Sequence, residues 1–344
     1  MSIRQEIEAF EETALSPYAM LASRSVGRQR PEEPDPIRTC FMRDRDRIIH
    51  SKSFRRLKHK TQVFIAMGND HYRTRLTHTL EVNQISQTAG KALRLNLDLI
   101  EAIALGHDVG HTPFAHTGEE VLDRLLPGGF KHNLNSVRVL TRIEQGRAGP
   151  GLNLSQEVLD GIAHHSGFGR GESACKTLEG QVVRYADKIA YVQHDIDDSI
   201  RASVLTLDDI PKEFLDILGY SHSERVGTLV KDLVLTTRSN LARGEIKVSL
   251  SPEINRALQG LRRFMFETVY KGPYCQKQRH GAAHIVEYLF SYYMENPDEL
   301  PGLYREIAEE EGLEQGVADY ISGMTDNYCV LLFKDKVLPQ ASVK

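Results

Sequence analysis

Residues 104–120 read ALGHDVGHTPFAHTGEE, and the fold is read outward from them. His107 and Asp108 are adjacent. With His111, His116 and Glu119 they place three imidazoles and two carboxylates within thirteen residues. Gly110, Pro113 and Gly118 interrupt the stretch. Histidine has no helix-forming advantage that would gather it so densely. The economical reading is a metal and proton-transfer site at the end of a helix. That helix is expected over Asp98 to His107, with Asp98 and Glu101 as a capping box and Leu99, Ile100, Ile103 and Ala104 facing the core. Gly110 and Pro113 stop it, and a new helix starts near Thr117 with Glu120 at the capping-box position. Glu119 also has a plainer reading, a first-turn carboxylate favoured by the helix dipole.

Towards the N-terminus, Thr77 to Leu93 is expected to be helical, because Val82, Ile85, Ala89 and Leu93 recur at helical spacing. His78 falls on that stripe. Before it come a loop over 61–75 with a possible short hairpin, a helix from about Asp44 to Leu57, an irregular connection over 24–36 and a helix over 1–22. Towards the C-terminus, a loop over 127–133 carries His132. Helices follow over Leu134 to Ile143 and Leu154 to His164, the second capped by Asn153 with Gln156, separated by a Gly/Pro loop over 145–153. After a loop over 166–174, Thr177 caps a long helix to about Ser203. Asp187, Tyr191, Asp195 and Asp198 share one face of it. Val182, Val183, Ala186, Ile189 and Ala190 surround Asp187, which marks it as a buried carboxylate needing a partner. Helices are expected over about 225–241, 253–270, 281–295, 301–311 and 314–331, and 245–250 is the best strand candidate. The fold class is all-α, a compact multi-helix arrangement with at most a short β-hairpin. Residues 1–344 read as a single domain, since no composition break marks a second.

With 40% hydrophobic residues the 344-residue chain can bury a large core. It has no run of 18 apolar residues, so no membrane span is expected. Cys40, Cys175, Cys275 and Cys329 are scattered, as free thiols of a reducing cytoplasm would be. Net charge is −4, yet Arg38 to Lys60 carries nine Lys/Arg against two Asp. Such a segment suits a polyphosphate or a weakly held single-stranded nucleic acid, or else pairs with acids elsewhere in the chain. Trp is absent and aromatics are few, which weakens the case for a base-stacking surface.

His78, His107, Asp108 and Asp187 offer two imidazoles and two carboxylates from three expected helices. Mixed N/O ligation without thiolate suits a divalent ion with water in its open positions. Mn, Mg, Fe, Co, Ni and Zn stay open, a closed structural zinc site being the poorest fit. His111, His116, Glu119 and His132 remain to position water, protonate a leaving oxygen or hold phosphate charge.

This constellation resembles the HD superfamily of metal-dependent phosphohydrolases, with the ligand pattern H…HD…D, and within it the deoxynucleoside triphosphate triphosphohydrolases, the bacterial dGTPase-like proteins. The resemblance runs through RDRDRIIHSKSFRRLKHKTQVF, RTRLTHTLEV, GHDVGHTPFAHTGEE, GFKHNLNSVRVL and RYADKIAYVQHDIDD. It covers about residues 40–200 firmly, the expected catalytic core, and implies that about 204–344 completes the substrate pocket and oligomer contacts. It implies metal ligation by His78, His107, Asp108 and Asp187. His116 and Glu119 would activate water or protonate the leaving group, and His111 and His132 would touch the phosphates. Arg75, Lys188 and Tyr191 would bind the triphosphate, and Asp195 and Gln62 the sugar. The implied reaction is water attack at the α-phosphorus of a deoxynucleoside triphosphate, releasing deoxynucleoside and tripolyphosphate. Relatives are commonly hexamers or tetramers. One departure is Asn135, where the family often has Gln. Base contacts are expected from the C-terminal third or a neighbouring subunit, with Tyr270 and Tyr274 as candidates.

The alternatives are another HD phosphohydrolase, such as a phosphodiesterase or nucleotidase, and a nucleic-acid-binding regulatory HD protein. A purely structural metal would leave His111, His116, Glu119 and His132 without purpose.

Overall fold

The computed structural model describes residues 1–62, 73–147, 149–166 and 175–338. Among these residues its regular secondary structure is almost all helix, as the all-α reading expects. At its centre lies α5 (Leu97–Gly106), where Leu99, Ile100, Ala102, Ile103, Ala104 and Leu105 are all buried. A helix this apolar, with only Asp98 and Glu101 as charged residues, is stable only when sheathed by others. Here the sheath is α2 (Cys40–Ile49), α4 (Arg75–Leu93), α8 (Gln156–Ala163) and α9 (Leu178–Arg201). The short α1 (Ile3–Ala14), α3 (Lys52–Arg56), α6 (His116–Leu125) and α7 (His132–Arg138) complete the N-terminal two thirds. Then come α10 (Lys212–Leu218), α11 (His222–Ala242), α12 (Pro252–Met265), α13 (Pro273–Glu295), α14 (Gly302–Glu311), α15 (Leu313–Ser322) and α16 (Asp326–Val337). One apolar cluster is built on α4, α5, α8 and α9 and takes in α10 to α12. A second joins Phe114, Val121 and Leu122 to α13–α16. The HD turn lies where the chain passes from the first cluster to the second.

Several boundaries differ from the sequence reading. The first helix stops at Ala14, because Pro17 disfavours helix in the residue before it. The helix expected from Asp44 to Leu57 begins at Cys40 under a Thr39 cap and breaks at His50. There the Ser51 hydroxyl accepts from Phe54 N–H at 3.1 Å and starts α3. Asn96, not Asp98, caps α5, its side chain accepting from Leu99 N–H at 3.2 Å. Asp98 and Glu101 pair with Arg45 instead, at 3.4 and 3.3 Å. α6 starts at His116, with no side-chain cap at Ala115. α8 follows Ser155, while the Asn153 side chain bonds Arg30 and Glu32. Thr177 caps α9 as expected, accepting from Gly180 N–H at 3.1 Å.

Residues 245–250 are not a strand. Val248 N–H donates to the Gln181 side chain at 2.9 Å and Ser249 N–H to the Thr237 hydroxyl at 3.3 Å. With side chains as acceptors, the segment needs no pairing strand. The two-stranded sheet among the described residues is β1 (Gln145–Gly146) against β2 (Gly149–Pro150), inside the stretch read as a loop. The hairpin considered over 61–75 falls mainly outside the described residues, flanked by an antiparallel bridge from Thr61 to Thr74. The loop read at 166–174 is likewise mostly outside them.

Candidate functional site

Three helices and one turn place the first group. Arg75 and His78 open α4 one turn apart, His107 and Asp108 follow directly on α5, and Asp187 lies mid-way along α9. Gly110 lets this turn sit against α7, since a Cβ there would lie 2.1 Å from the Ser136 nitrogen. The Ser136 hydroxyl in turn accepts from Gly110 N–H at 2.9 Å and donates to the His107 carbonyl at 2.7 Å.

The His107 ring is fixed. Its Nδ1 is 2.6 Å from the Ala104 carbonyl, which can only accept, so Nδ1 carries the proton and Nε2 keeps its lone pair. That Nε2 is buried without a hydrogen-bond partner, 3.7 Å from Asp108 Oδ1 and 3.9 Å from Asp187 Oδ1. His78 Nε2 lies 3.1 Å from Asp187 Oδ1. His78, His107 and Asp108 each offer a ligand atom within 4.8 Å of the others. An orphaned buried imidazole lone pair facing two carboxylates fits a divalent cation. Burial pushes the Asp187 carboxyl up, but the His78 hydrogen bond and the neighbouring His107 and His78 imidazoles outweigh it and hold the group below its usual range. Asp108 behaves likewise: burial opposes ionisation, and Arg75, His107 and His111 more than compensate. Arg75 Nη1 donates to Asp108 Oδ2 at 2.7 Å, so this buried arginine is held against the HD pair.

The second group adjoins the first. Glu119, in the first turn of α6, is 3.0 Å from His116 Nδ1 through Oε2 and 2.8 Å from His132 Nδ1 through Oε1. Oε1 also accepts from His132 N–H. One carboxylate thus orients two imidazoles, which goes beyond the helix-dipole reading of Glu119. These two hydrogen bonds depress the Glu119 carboxyl against the effect of burial. His132 is the counterpart: burial lowers it, the Glu119 bond and charge raise it, and the net shift is upward. His111 stacks on His132 with centroids 4.1 Å apart. It is driven well below its usual range by burial and by Arg75 and His132, so it is neutral. His116 is 50% exposed.

His116, Glu119, Gln62 and Tyr191 line a cleft of about 420 Å³, closed on its far side by Arg262, Phe266, Tyr270, Cys275, Gln278 and Arg279. Tyr191 stacks on Tyr270 with centroids 6.1 Å apart. The Tyr270 hydroxyl and Gln62 Oε1 are buried without partners. Asp195 is 1% exposed and both its carboxyl oxygens lack partners. Burial and the charge of Asp198 push that carboxyl well above its usual range. Arg75, Lys188 and Asp195 do not line the cleft itself; Lys188 Nζ sits 5.5 Å over the Tyr185 ring. The Tyr274 side chain lies outside the described residues.

Sequence reasoning passed over His165. Its ring meets His107 edge-on at 4.9 Å and His132 at 5.4 Å, and its Nδ1 lies 2.7 Å from the Ile162 carbonyl. The His164–His165 pair at a helix end was the available signal. Also missed were His194, whose ring packs on His78 at 5.8 Å, and the far wall of the cleft apart from Tyr270, whose other residues carry no motif. The arginines of the basic segment are largely engaged within the chain: Arg38 with Asp35 and Asp46, Arg43 and Arg47 with Glu32. No helix among the described residues is long and apolar enough to cross a membrane.

The HD domain family matches residues 75–192, and the phosphohydrolase-associated domain family matches residues 248–335. The chain is 57% identical to the deoxyguanosinetriphosphate triphosphohydrolase-like protein of Clostridium tetani, over 99% of this chain and 97% of that one. It is 58% identical to the protein so named in Clostridium perfringens, over 99% of both, and 45% identical to that of Desulfatibacillum aliphaticivorans, over the full length of both. An HD turn with a buried, unsatisfied imidazole nitrogen and matches of this extent lead to one assignment: the chain belongs to the HD phosphohydrolase family, among the deoxyguanosinetriphosphate triphosphohydrolase-like proteins.

Proposed function

We propose that this hydrolase cleaves deoxynucleoside triphosphates, dGTP or several of them, to deoxynucleoside and tripolyphosphate. The observation that carries the reading is that Asp108 joins two clusters of potential ligand atoms, one with His78 and His107 and one with His111 and His132, each within 4.8 Å, while Glu119 anchors both His132 and the cleft-lining His116. His78, His107, Asp108 and Asp187 would hold one divalent cation, with Mn, Mg, Fe, Co, Ni and Zn as candidates. Such a cation polarises a phosphoryl oxygen and lowers the pKa of a bound water.

The chain's own residues supply the rest. His116 donates its Nδ1–H as a hydrogen bond to the Glu119 carboxylate, which leaves Nε2 as the atom that relays a proton between water and the leaving oxygen. His132, whose charged form is favoured by Glu119, faces the phosphates, and neutral His111 stacks behind it. Arg75 and Lys188 add cations, and Tyr191 shapes the wall. Asp195, whose two carboxyl oxygens are buried without partners, is placed to meet a sugar hydroxyl, and Gln62 Oε1 is a free acceptor for another. Residues 1–344 would act as one unit. The core at about 40–200 supplies the catalytic wall, and 204–344 supplies the wall that meets the base, through Tyr270 and its neighbours. The resemblance also leads us to expect a cytoplasmic homo-oligomer, hexameric or tetrameric. The internal ion pairs of segment 38–60 count against nucleic-acid binding as the main function.

The test is product analysis. The metal-loaded protein is incubated with each of the four deoxynucleoside triphosphates, a ribonucleotide and a cyclic dinucleotide, and the products are separated. Deoxynucleoside with intact tripolyphosphate supports the proposal and ranks the bases. Monophosphate with pyrophosphate refutes the bond assignment, and turnover of the cyclic dinucleotide alone points to a phosphodiesterase.

A further inference from the structure

The turn that delivers His116 is strained. Phe114 and Ala115 have φ of 60° and 55°, with ψ of −134° at Ala115, and neither is glycine. L-residues are rare in these regions, and such a turn persists only where its surroundings over-determine it. The restraint comes from a distant part of the chain. Asp326, the first residue of α16, is 4% exposed. Its Oδ1 accepts from Phe114 N–H at 3.0 Å. Its Oδ2 accepts from Thr61 N–H at 2.9 Å and also from the Thr61 hydroxyl. Two neighbouring contacts tie the same two segments together. Lys60 Nζ donates to the carbonyls of His111 and Ser322, and Asn135 Nδ2 donates to the Gly110 carbonyl at 2.7 Å and the Ser322 hydroxyl at 3.2 Å. The chain leading to Gln62 and the chain leading to His116, two walls of the cleft, are therefore pinned to one turn between α15 and α16.

We infer that Asp326 is a positioning residue: it holds the strained 112–116 turn and the Thr61–Gln62 segment in register, so that the C-terminal helices set where His116 stands. This rests on the role proposed for His116. The chemistry requires a carboxylate. Three donors converge on it, and a carboxylate offers two accepting oxygens with no hydrogen of its own. Asparagine has the same shape but accepts through one oxygen, so its NH2 must face either Phe114 N–H or Thr61.

The experiment is Asp326→Asn in the full chain, read two ways. Hydrogen exchange over residues 112–118 is expected to quicken about tenfold while α5 and α9 exchange as in the wild type. The kcat for deoxynucleoside triphosphate is expected to fall about tenfold or more, with KM within about twofold. Adding Ala115→Gly, which accepts a positive φ without strain, should restore most of the turnover of Ala115→Gly alone. Unchanged exchange and kcat would overturn the inference. So would uniformly faster exchange with no rescue, because a merely structural role predicts that. Thr61→Val, which removes only the hydroxyl arm, serves if Asp326→Asn does not fold; it should show the same two changes at smaller size, and wild-type behaviour would refute the clamp. If the wild type itself fails to turn over these substrates, the functional proposal falls, and the exchange measurement still decides the clamp.

Discussion

Glu119 does its work through two imidazoles at once, so the consequence of losing each can be separated. His116 is half in solvent and bonded to little besides Glu119, so its removal opens no core. His116→Ala should keep fold and metal content while turnover falls by about 10²–10⁴-fold. Steady-state kinetics with metal analysis checks this, and wild-type turnover would remove His116 from the mechanism. His165 makes a different prediction. Burial foremost, then the neighbouring imidazoles of His107 and His132, push it down from 6.5 to about 3, against a smaller opposing effect of Asp187. The unfolded chain therefore takes up a proton near 6.5 that the fold refuses until about 3. The sign follows: this contribution is fully present above about 6.5 and is lost as pH falls towards 3. In metal-free protein, His165→Asn should make the loss shallower by at most about 1.4 kcal/mol per pH unit. Urea unfolding at a series of pH values measures it, and identical slopes would show that His165 does not titrate in this way.

At the scale of elements, the HD turn depends on how closely α7 approaches it. A Cβ on Gly110 would lie 2.1 Å from Ser136 N and 2.5 Å from its Cα, which are backbone atoms that cannot swing aside. Gly110→Ala should cost about 1–3 kcal/mol and abolish most turnover by shifting His107 and Asp108. Gly128→Ala meets nothing within 4 Å and should stay within about 0.5 kcal/mol of wild type in the same denaturation series. Comparable losses in both would mean that the α7 approach is not what glycine serves. The same elements show what a sequence discloses. α5 was legible because it is apolar over most of its surface and ends on a polar doublet, and α9 because Thr177 caps it and Asp187 sits among apolar residues. The break at His50 was not, since Arg47, Ser51 and Arg55 continue the helical spacing across it while Ser51 bonds Phe54 N–H. Residues 245–250 look like a strand because Val248 and Leu250 alternate inward, yet their backbone is satisfied by side chains from α9 and α11. The metal-ligand candidates His78, His107, Asp108 and Asp187 do converge. On the far wall of the cleft only Tyr270 was anticipated, because Arg262, Phe266 and Gln278 have no spacing that marks them.

For the whole molecule, the consequence lies in how the proposed ligands are distributed. His78 belongs to α4, His107 and Asp108 to the end of α5, and Asp187 to α9, the helices around which the larger apolar cluster is built. A cation shared by these residues ties the core together as well as serving chemistry. Without it, two depressed carboxylates and an unsatisfied His107 nitrogen stay buried, which costs free energy. Binding to the folded state alone stabilises it by RT ln(1 + [L]/Kd), about 4 kcal/mol at a thousandfold excess over Kd. Chelation should therefore lower the melting temperature by several degrees and abolish turnover, and one equivalent of Mn or another of the candidate ions should restore both. His107→Ala is the control. It removes the nitrogen that waits without a partner, so its melting temperature should no longer respond to either chelator or metal. A wild type whose melting temperature ignores chelation while its turnover is lost would place the ion at the surface of the cleft, held by substrate more than by these four residues. An equal response in His107→Ala would move the binding site to the neighbouring Asp108, His111 and His132, whose ligand atoms also lie within 4.8 Å of one another.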